Sequence, residues 1–129
     1  MPVSRDSLPI LVVDDNQPAR QLIKSTLAIA GYTAITEAAD GAKALDRLRG
    51  QHFDLVICDW DMPDTSGLDV LQALRADEKL NKIPFLMVTA NQQREFVEAA
   101  IAAGVSDYVT KPFRLNTLND KVARLLGGK

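Results

Sequence analysis

The sequence is poor in the residues that build disulfide frameworks and catalytic triads, since 129 residues contain one cysteine and one histidine. The single Cys58 excludes an internal disulfide, and the single His52 argues against a Ser-His-Asp or Cys-His arrangement. No apolar run approaches the roughly 18 residues that cross a bilayer, and the first residues lack the hydrophobic stretch of a signal peptide. We therefore expect a protein of the reducing cytoplasm that has no membrane partner.

An excess of positive charge is also missing. The net charge is -2 and the isoelectric point is near 5.3, with lysine and arginine scattered along the chain. This composition argues against a nucleic-acid partner, which would favour a clustered basic face. With 47% hydrophobic and 25% charged residues, the chain suits one compact domain over residues 1–129.

Short apolar runs are present, and they predict buried strands. They read PILVVD, FDLVICD and PFLMVTA, and each is too short for a helix and lacks the alternation of a strand with one solvated face. Two further candidates, TAITEA and SDYVTK, are more polar. The sequence therefore predicts five strands.

Segments with helical spacing follow the strands. Asn16, Asp40 and Ser66 are typical N-cap residues, and Gly31 and Gly104 are typical of helix ends. The spacing predicts buried helix faces that include Leu22, Ile23, Phe96, Ile101, Leu115 and Leu118. The alternation (βα)5 predicts an α/β fold with right-handed crossovers and a mainly parallel sheet covered on both sides.

Polar side chains follow four of the five predicted strands. They are Asp14, Asp15, Asp59, Asp61, Thr89 and Lys111. Because the carboxyl ends of parallel strands meet at one rim, where ligands of open α/β sheets bind, we expect these groups to share a pocket. The adjacent carboxylates Asp14 and Asp15, taken alone, would be read more simply as a solvated turn.

The combined set indicates a narrower chemistry. Clustered carboxylates suit Mg²⁺, which takes one or two carboxylates together with waters and a phosphate oxygen. A carboxylate beside such a cation can attack a phosphoryl group, and a hydroxyl and an ammonium can neutralise its oxygens. Cys58 is predicted to be an inert core residue, while Trp60 is predicted to be exposed, with a fluorescence that reports metal or phosphoryl binding.

Four motifs occur in a family-specific order. The segments VVDDN, DWDMPDTSGLD, MVTA and YVTKPF resemble the signature of the response-regulator receiver domain, in particular its single-domain chemotaxis type. The resemblance extends over essentially the whole chain. It implies a flavodoxin-like, doubly wound (βα)5 fold whose parallel sheet has the strand order 2-1-3-4-5.

The same resemblance implies a role for each site residue. Asp59 would be the phosphoacceptor, and Asp14 and Asp15 would hold Mg²⁺ together with Asp59 and the backbone carbonyl of Asp61. Thr89 and Lys111 would bind the phosphoryl group, and Tyr108 would be the switch aromatic that follows Thr89. The family often has a cis bond at the position of Lys111 and Pro112.

The resemblance also implies partners for a monomer. A histidine kinase would donate the phosphoryl group, and a downstream protein, for which the flagellar motor switch is a candidate, would bind the face of helix four, strand five and helix five. That face would include Gln92, Arg94, Val97, Tyr108, Phe113 and Lys121. Asp61, Asn91 and Arg114 depart from residues common in chemotaxis relatives, which leaves the phosphate lifetime and the partner surface open.

Three other interpretations remain open from the residues. The chain would also fit a receiver domain cut from a larger regulator or hybrid kinase. DWD also fits the nucleophile and acid of a Mg²⁺-dependent aspartyl-phosphate phosphatase of the haloacid dehalogenase type, although that family has its motifs in the reverse order. An FMN carrier on the same sheet is a third possibility, but the acidic rim would repel the FMN phosphate.

Overall fold

Strands and helices alternate along the chain in the computed structural model, which describes residues 4–90 and 93–127. After a short 3-10 turn at Arg5–Ser7, the strands are Ile10–Val13 (β1), Ile35–Ala38 (β2), Leu55–Asp59 (β3), Phe85–Thr89 (β4) and Asp107–Thr110 (β5). The helices are Gln17–Ile29 (α1), Gly41–Gly50 (α2), Gly67–Ala76 (α3), Arg94–Ala102 (α4) and Leu115–Leu125 (α5). The predicted (βα)5 alternation is confirmed.

The five strands form one parallel sheet in the order β2-β1-β3-β4-β5. This is the strand order that the resemblance implied. Since all strands run in the same direction, their carboxyl ends lie at one rim. The chain reverses its direction of winding between β1 and β3, and the first two carboxylates follow β1 at this point.

Two hydrophobic cores lie on opposite sides of the sheet. Leu11 and Val13 of β1 pack with α2, α3 and α4, whereas Ile10 and Val12 pack with α1 and α5. Because successive strand residues point to opposite faces, an all-apolar strand supplies both cores. The burial of every residue of β1, β3 and β4 follows from this arrangement.

The predicted N-caps and helix ends are present. The side chains of Asn16, Asp40 and Ser66 each accept a hydrogen bond from a backbone N–H three residues on. Such a cap stabilises a helix by about 1 kcal/mol. Gly31 and Gly104 have φ values of 96° and 93°, a left-handed conformation that favours glycine at the end of a helix.

Several side chains that were predicted to be buried or exposed are placed differently. Leu22, Ile101 and Leu115 are 53%, 62% and 47% exposed, so their prediction as core residues is wrong. Each helix covers the sheet with a narrow stripe, and a residue rotated by about 100° from that stripe faces water. Trp60, predicted to be exposed, is 8% exposed and packs edge-on against Phe96 at 5.4 Å between ring centroids.

The helices within residues 4–90 and 93–127 include none with the length and apolar character needed to span a membrane.

Gly67 allows α3 to begin directly against the end of β3. A Cβ at this position would lie 2.3 Å from the Asp59 carbonyl oxygen and 2.8 Å from the Trp60 Cα. We expect Gly67→Ala to lower the free energy of unfolding by about 2 kcal/mol, because backbone must move to relieve the overlap. Urea unfolding followed by circular dichroism measures this change.

Gly50→Ala is the matched control, since a Cβ there would meet no atom within 4 Å. At this helical position, alanine should leave stability unchanged or raise it by up to about 1 kcal/mol. Equal stabilities for the two variants would show that the close approach at Gly67 is easily relaxed.

Candidate functional site

Asp14 is held at the end of β1 by contacts to both its carboxylate and its backbone. Its side chain is 1% exposed, and its Oδ1 accepts a hydrogen bond from the Asn16 N–H at 2.9 Å. The Asp14 N–H donates to the Ala38 carbonyl at 3.2 Å, which extends the β1–β2 pairing by one residue. The neighbouring Asp15 is exposed. The two adjacent carboxylates therefore lie in different environments.

Asp59 is the last residue of β3 and is 6% exposed. The Trp60 N–H donates to the Val88 carbonyl at 3.0 Å, which extends the β3–β4 pairing by one residue. The following loop folds back onto the strand, because the Gly67 N–H donates to the Trp60 carbonyl at 2.9 Å. Asp61 is exposed in this loop. The loop therefore leaves the Asp59 carboxylate at the rim, beside Asp14.

Lys111 joins the two buried carboxylates. Its Nζ lies 3.2 Å from Asp14 Oδ2 and 3.4 Å from Asp59 Oδ1. The backbone places it there, because the Lys111 N–H donates to the Thr89 carbonyl at 2.8 Å and the Lys111–Pro112 bond is cis, as the resemblance implied. The ammonium thus compensates part of the negative charge that two close carboxylates create.

The pKa values of this group follow from burial and charge. Burial, and then the Asp14 charge, raise the pKa of Asp59 from 3.8 to about 6, against the opposing effects of Lys111 and the Asp61 backbone. Burial alone would lower the pKa of Lys111, but the charges of Asp59 and Asp14 and their hydrogen bonds outweigh burial and raise it. The same surroundings raise the pKa of the buried Cys58 thiol, as expected of an inert core cysteine.

Three carboxylates fit a small divalent cation. Oxygens of Asp14, Asp15 and Asp59 lie within 4.8 Å of one another. Mg²⁺ holds its oxygens about 2.1 Å away, so opposite ligands are about 4.2 Å apart and a small adjustment would suffice. With all groups ionised, three carboxylates and the Lys111 ammonium sum to a charge of -2. The donor set therefore matches a hard divalent ion in both chemistry and charge.

Thr89 and Tyr108 lie on the neighbouring strands β4 and β5. Thr89 ends β4 and is 5% exposed, and Tyr108 in β5 is half-buried. Both line a small apolar cavity whose other walls are Trp60, Met87, Phe96, Val97 and Ala100. The Thr89 and Tyr108 side chains are therefore adjacent to the same space, together with residues of α4.

Comparison with known proteins agrees with the motifs and the fold. The model of the response regulator receiver domain matches residues 10–123. The chain is 43% identical over 118 residues to the chemotaxis protein CheY of Pseudomonas aeruginosa, covering 92% of this chain and 95% of that protein. The chain belongs to the response-regulator receiver family.

Solved receiver structures resemble it closely. The chemotaxis protein CheY4 of Vibrio cholerae has a TM-score of 0.86 and 34% identity, and the match covers 92% of this chain and 98% of that one. The receiver domain of a Pseudomonas aeruginosa sensor histidine kinase has a TM-score of 0.85 and 31% identity over 93% of this chain and 98% of that one, and its structure contains a magnesium ion in the active-site cleft. This receiver is thus CheY-like, consistent with two-component signalling, and its family is one of signalling domains.

The predicted partner face of the receiver is only partly described. Gln92 and Asn91 lie outside the described residues. Arg94 pairs with Glu98 on α4, and the half-buried Val97 lines the cavity with Tyr108. Phe113 packs against the core under α1 and α5. The face is therefore built partly from core residues and partly from exposed charges.

Lys121 has a more specific setting than the sequence predicted. Its Nζ lies 2.9 Å from Asp107 Oδ1 and 5.6 Å from the centre of the Tyr108 ring, and Arg124 pairs with the other Asp107 oxygen at 3.0 Å. From the sequence, Asp107 is predicted only to make the fifth strand more polar. Its position fourteen residues before Lys121 carries no helical or strand periodicity, so the pair was not predictable from spacing.

Two further residues of the receiver site were missed. Arg20 Nη1 donates to the Asp14 carbonyl at 2.7 Å, and Glu37 in β2 holds Arg20 at 3.0 Å. The sequence predicts a functional polar group after every strand except the second, and Glu37 lies within β2 instead of after it. The available signal was the charged Glu37 within this short, partly polar strand.

Proposed function

We propose that the protein is a phospho-accepting switch of a two-component phosphorelay, in which Asp59 receives a phosphoryl group from a histidine kinase. The observation that carries this proposal is the position of Lys111 Nζ between Asp14 and Asp59, next to a third carboxylate. Phosphoryl transfer depends mainly on positioning and on neutralising charge. A carboxylate nucleophile, a fixed ammonium and an acidic cation site supply both.

Each site residue has a distinct part in the proposed mechanism. Asp59 is the nucleophile, and its carboxylate is mostly ionised at pH 7 because its pKa is about 6. Lys111 and the Thr89 hydroxyl would bond the phosphoryl oxygens, which add roughly 1.5 to 2 negative charges. Asp14 and Asp15, with Asp59 and the Asp61 carbonyl, would hold Mg²⁺, whose charge neutralises carboxylates and phosphoryl oxygens together.

The output would pass from Thr89 to Tyr108. A Thr89 hydroxyl drawn towards a phosphoryl group changes one wall of the cavity that Tyr108 also lines. The Tyr108 ring can then turn inward, which alters the surface formed by α4, β5 and α5. A downstream protein would bind this surface at Arg94, Val97, Phe113 and Lys121, and relatives named for chemotaxis make the flagellar motor switch the first target to test.

We further propose that the receiver is a single domain that acts as a cytoplasmic monomer.

Incubation of the wild-type protein with acetyl phosphate, with MgCl2 or with EDTA, tests the central proposal. Intact-mass spectrometry should show one phosphoryl group per chain with Mg²⁺ and none with EDTA, and hydroxylamine should remove the label as it does from acyl phosphates. An unlabelled protein under both conditions would contradict the proposal. Repeated turnover of p-nitrophenyl phosphate would instead support the phosphatase interpretation.

A further inference from the structure

Arg20 is a partly buried cation next to a site that is proposed to bind another cation. Its side chain is 14% exposed and lies in the first turn of α1, where its N–H donates to the Asn16 carbonyl at 3.1 Å. A positive charge here opposes a divalent ion by simple repulsion. Its presence therefore requires another explanation.

The contacts of Arg20 lead to the backbone of Asp14. Nη1 donates to the Asp14 carbonyl at 2.7 Å, and Nε donates to Glu37 Oε1 at 3.0 Å. The planar guanidinium can make both bonds with a fixed angle between them. Lys24 donates to the other Glu37 oxygen at 3.0 Å, so Glu37 is held from two sides.

These bonds form a closed ring between β1 and β2. The Asp14 N–H donates to the Ala38 carbonyl at 3.2 Å, and Glu37, the residue before Ala38, holds the guanidinium that bonds the Asp14 carbonyl. Both polar groups of the Asp14 peptide backbone are therefore tied to β2. The position and direction of the Asp14 Cα–Cβ bond, from which the carboxylate extends towards Asp59 and Lys111, are fixed as a result.

We propose that Arg20, anchored by Glu37, is a positioning residue of the acidic site that fixes the Asp14 carboxylate for cation binding. This inference rests on the proposed function, since it assumes that the carboxylates bind Mg²⁺. Residues that orient metal ligands from behind change metal affinity by about 10- to 100-fold when they are replaced. The role of Arg20 is exerted through Asp14, without contact to the phosphoryl group.

Mg²⁺ titration of the metal-free protein, followed by Trp60 fluorescence, separates positioning from simple charge. We expect Arg20→Gln to weaken Mg²⁺ binding by about 10-fold, whereas removal of a repelling charge alone would strengthen it. Lys24→Gln is the matched control, because it also breaks an ion pair with Glu37 but leaves the bond to Asp14 in place. Its Mg²⁺ affinity should equal that of the wild type.

Two conservative variants test the geometry. Glu37→Gln weakens the ion pair that anchors Arg20, so its Mg²⁺ affinity should lie between that of the wild type and that of Arg20→Gln. Arg20→Lys keeps the charge but cannot make both bonds at once, so it should fail to restore Mg²⁺ affinity. These two variants also provide the comparison if Arg20→Gln does not fold.

A second measurement needs no metal. The Asn16 N–H donates to Asp14 Oδ1, so its amide hydrogen exchange reports how firmly that carboxylate is held. We expect faster exchange in Arg20→Gln and unchanged exchange in Lys24→Gln. If the wild type binds Mg²⁺ and Arg20→Gln binds it equally or more tightly, this inference is overturned and the proposed function is not. If the wild type does not bind Mg²⁺, the proposed function is overturned as well.

Discussion

Replacing Asp59 by asparagine is expected to reduce phosphoryl incorporation from acetyl phosphate to background. An amide has no ionisable oxygen with which to attack phosphorus, and no other described carboxylate lies against both Asp14 and Lys111. Intact-mass spectrometry in the presence of MgCl2 measures the effect directly.

Asp64→Asn is the control for this variant. Asp64 is an exposed carboxylate of the same loop, with a φ of 66° that asparagine also tolerates. It should be labelled like the wild type. Full labelling of Asp59→Asn would show that another residue accepts the phosphoryl group.

The Asp59→Asn variant should also be more stable than the wild type at neutral pH. The pKa of Asp59 is about 6 in the folded protein and 3.8 without the fold, so between these values the folded state binds more protons than the unfolded state. The wild type therefore loses stability as the pH rises from about 4 to about 6, and Asp59→Asn does not. Solvent at the open rim screens this effect, which leaves a gain on the order of 1 kcal/mol at pH 7 that vanishes below pH 4. Urea unfolding across this pH range checks both the size and the sign.

Replacing Asp15 by alanine is expected to lower Mg²⁺-dependent phosphorylation by about 100-fold or more. Loss of one carboxylate from the cluster removes several kcal/mol of the charge stabilisation that a bound cation provides. Because the Asp15 side chain is exposed, we expect the fold to be kept, with metal-free stability unchanged or slightly raised by the loss of a like charge. Initial labelling rates and thermal unfolding without metal are the two measurements.

Asp14→Ala provides the contrast for Asp15→Ala. It should lose both phosphorylation and stability, because the Asn16 N–H and the Lys111 ammonium lose a buried partner. Asp46→Ala, an exposed carboxylate on α2, should change neither property. If Asp15→Ala is phosphorylated at the rate of the wild type, Asp15 does not contribute to a cation site, and the adjacent carboxylates are better explained as a solvated turn.

Much of the fold could be predicted because a parallel sheet imposes strong patterns on a sequence. Strands buried on both sides must be apolar throughout, as in β1, β3 and β4, and helix ends need caps and glycines. The gathering of Asp14, Asp59, Thr89 and Lys111 followed from strand direction alone. Their roles came from the resemblance and are the subject of the proposals above.

The remaining features depend on rotations and distances that a sequence does not encode locally. Whether Leu22 faces water and Ile23 faces the core depends on how α1 lies across the sheet. The burial of Trp60 depends on Phe96, a residue of another helix. Likewise, Arg20 and Glu37 meet because β2 pairs with β1, and no spacing rule relates them.

The backbone bond from the Lys111 N–H to the Thr89 carbonyl has a consequence for the entropy of ligand binding. It joins the last residue of β4 to the residue that follows β5, so the separation of the Thr89 and Lys111 backbones is set by the sheet. Conformational entropy at these two positions is lost when the sheet forms. In the proposed switch, binding of a phosphoryl group by Thr89 and Lys111 would then cost ordering of their side chains and little further ordering of their backbones.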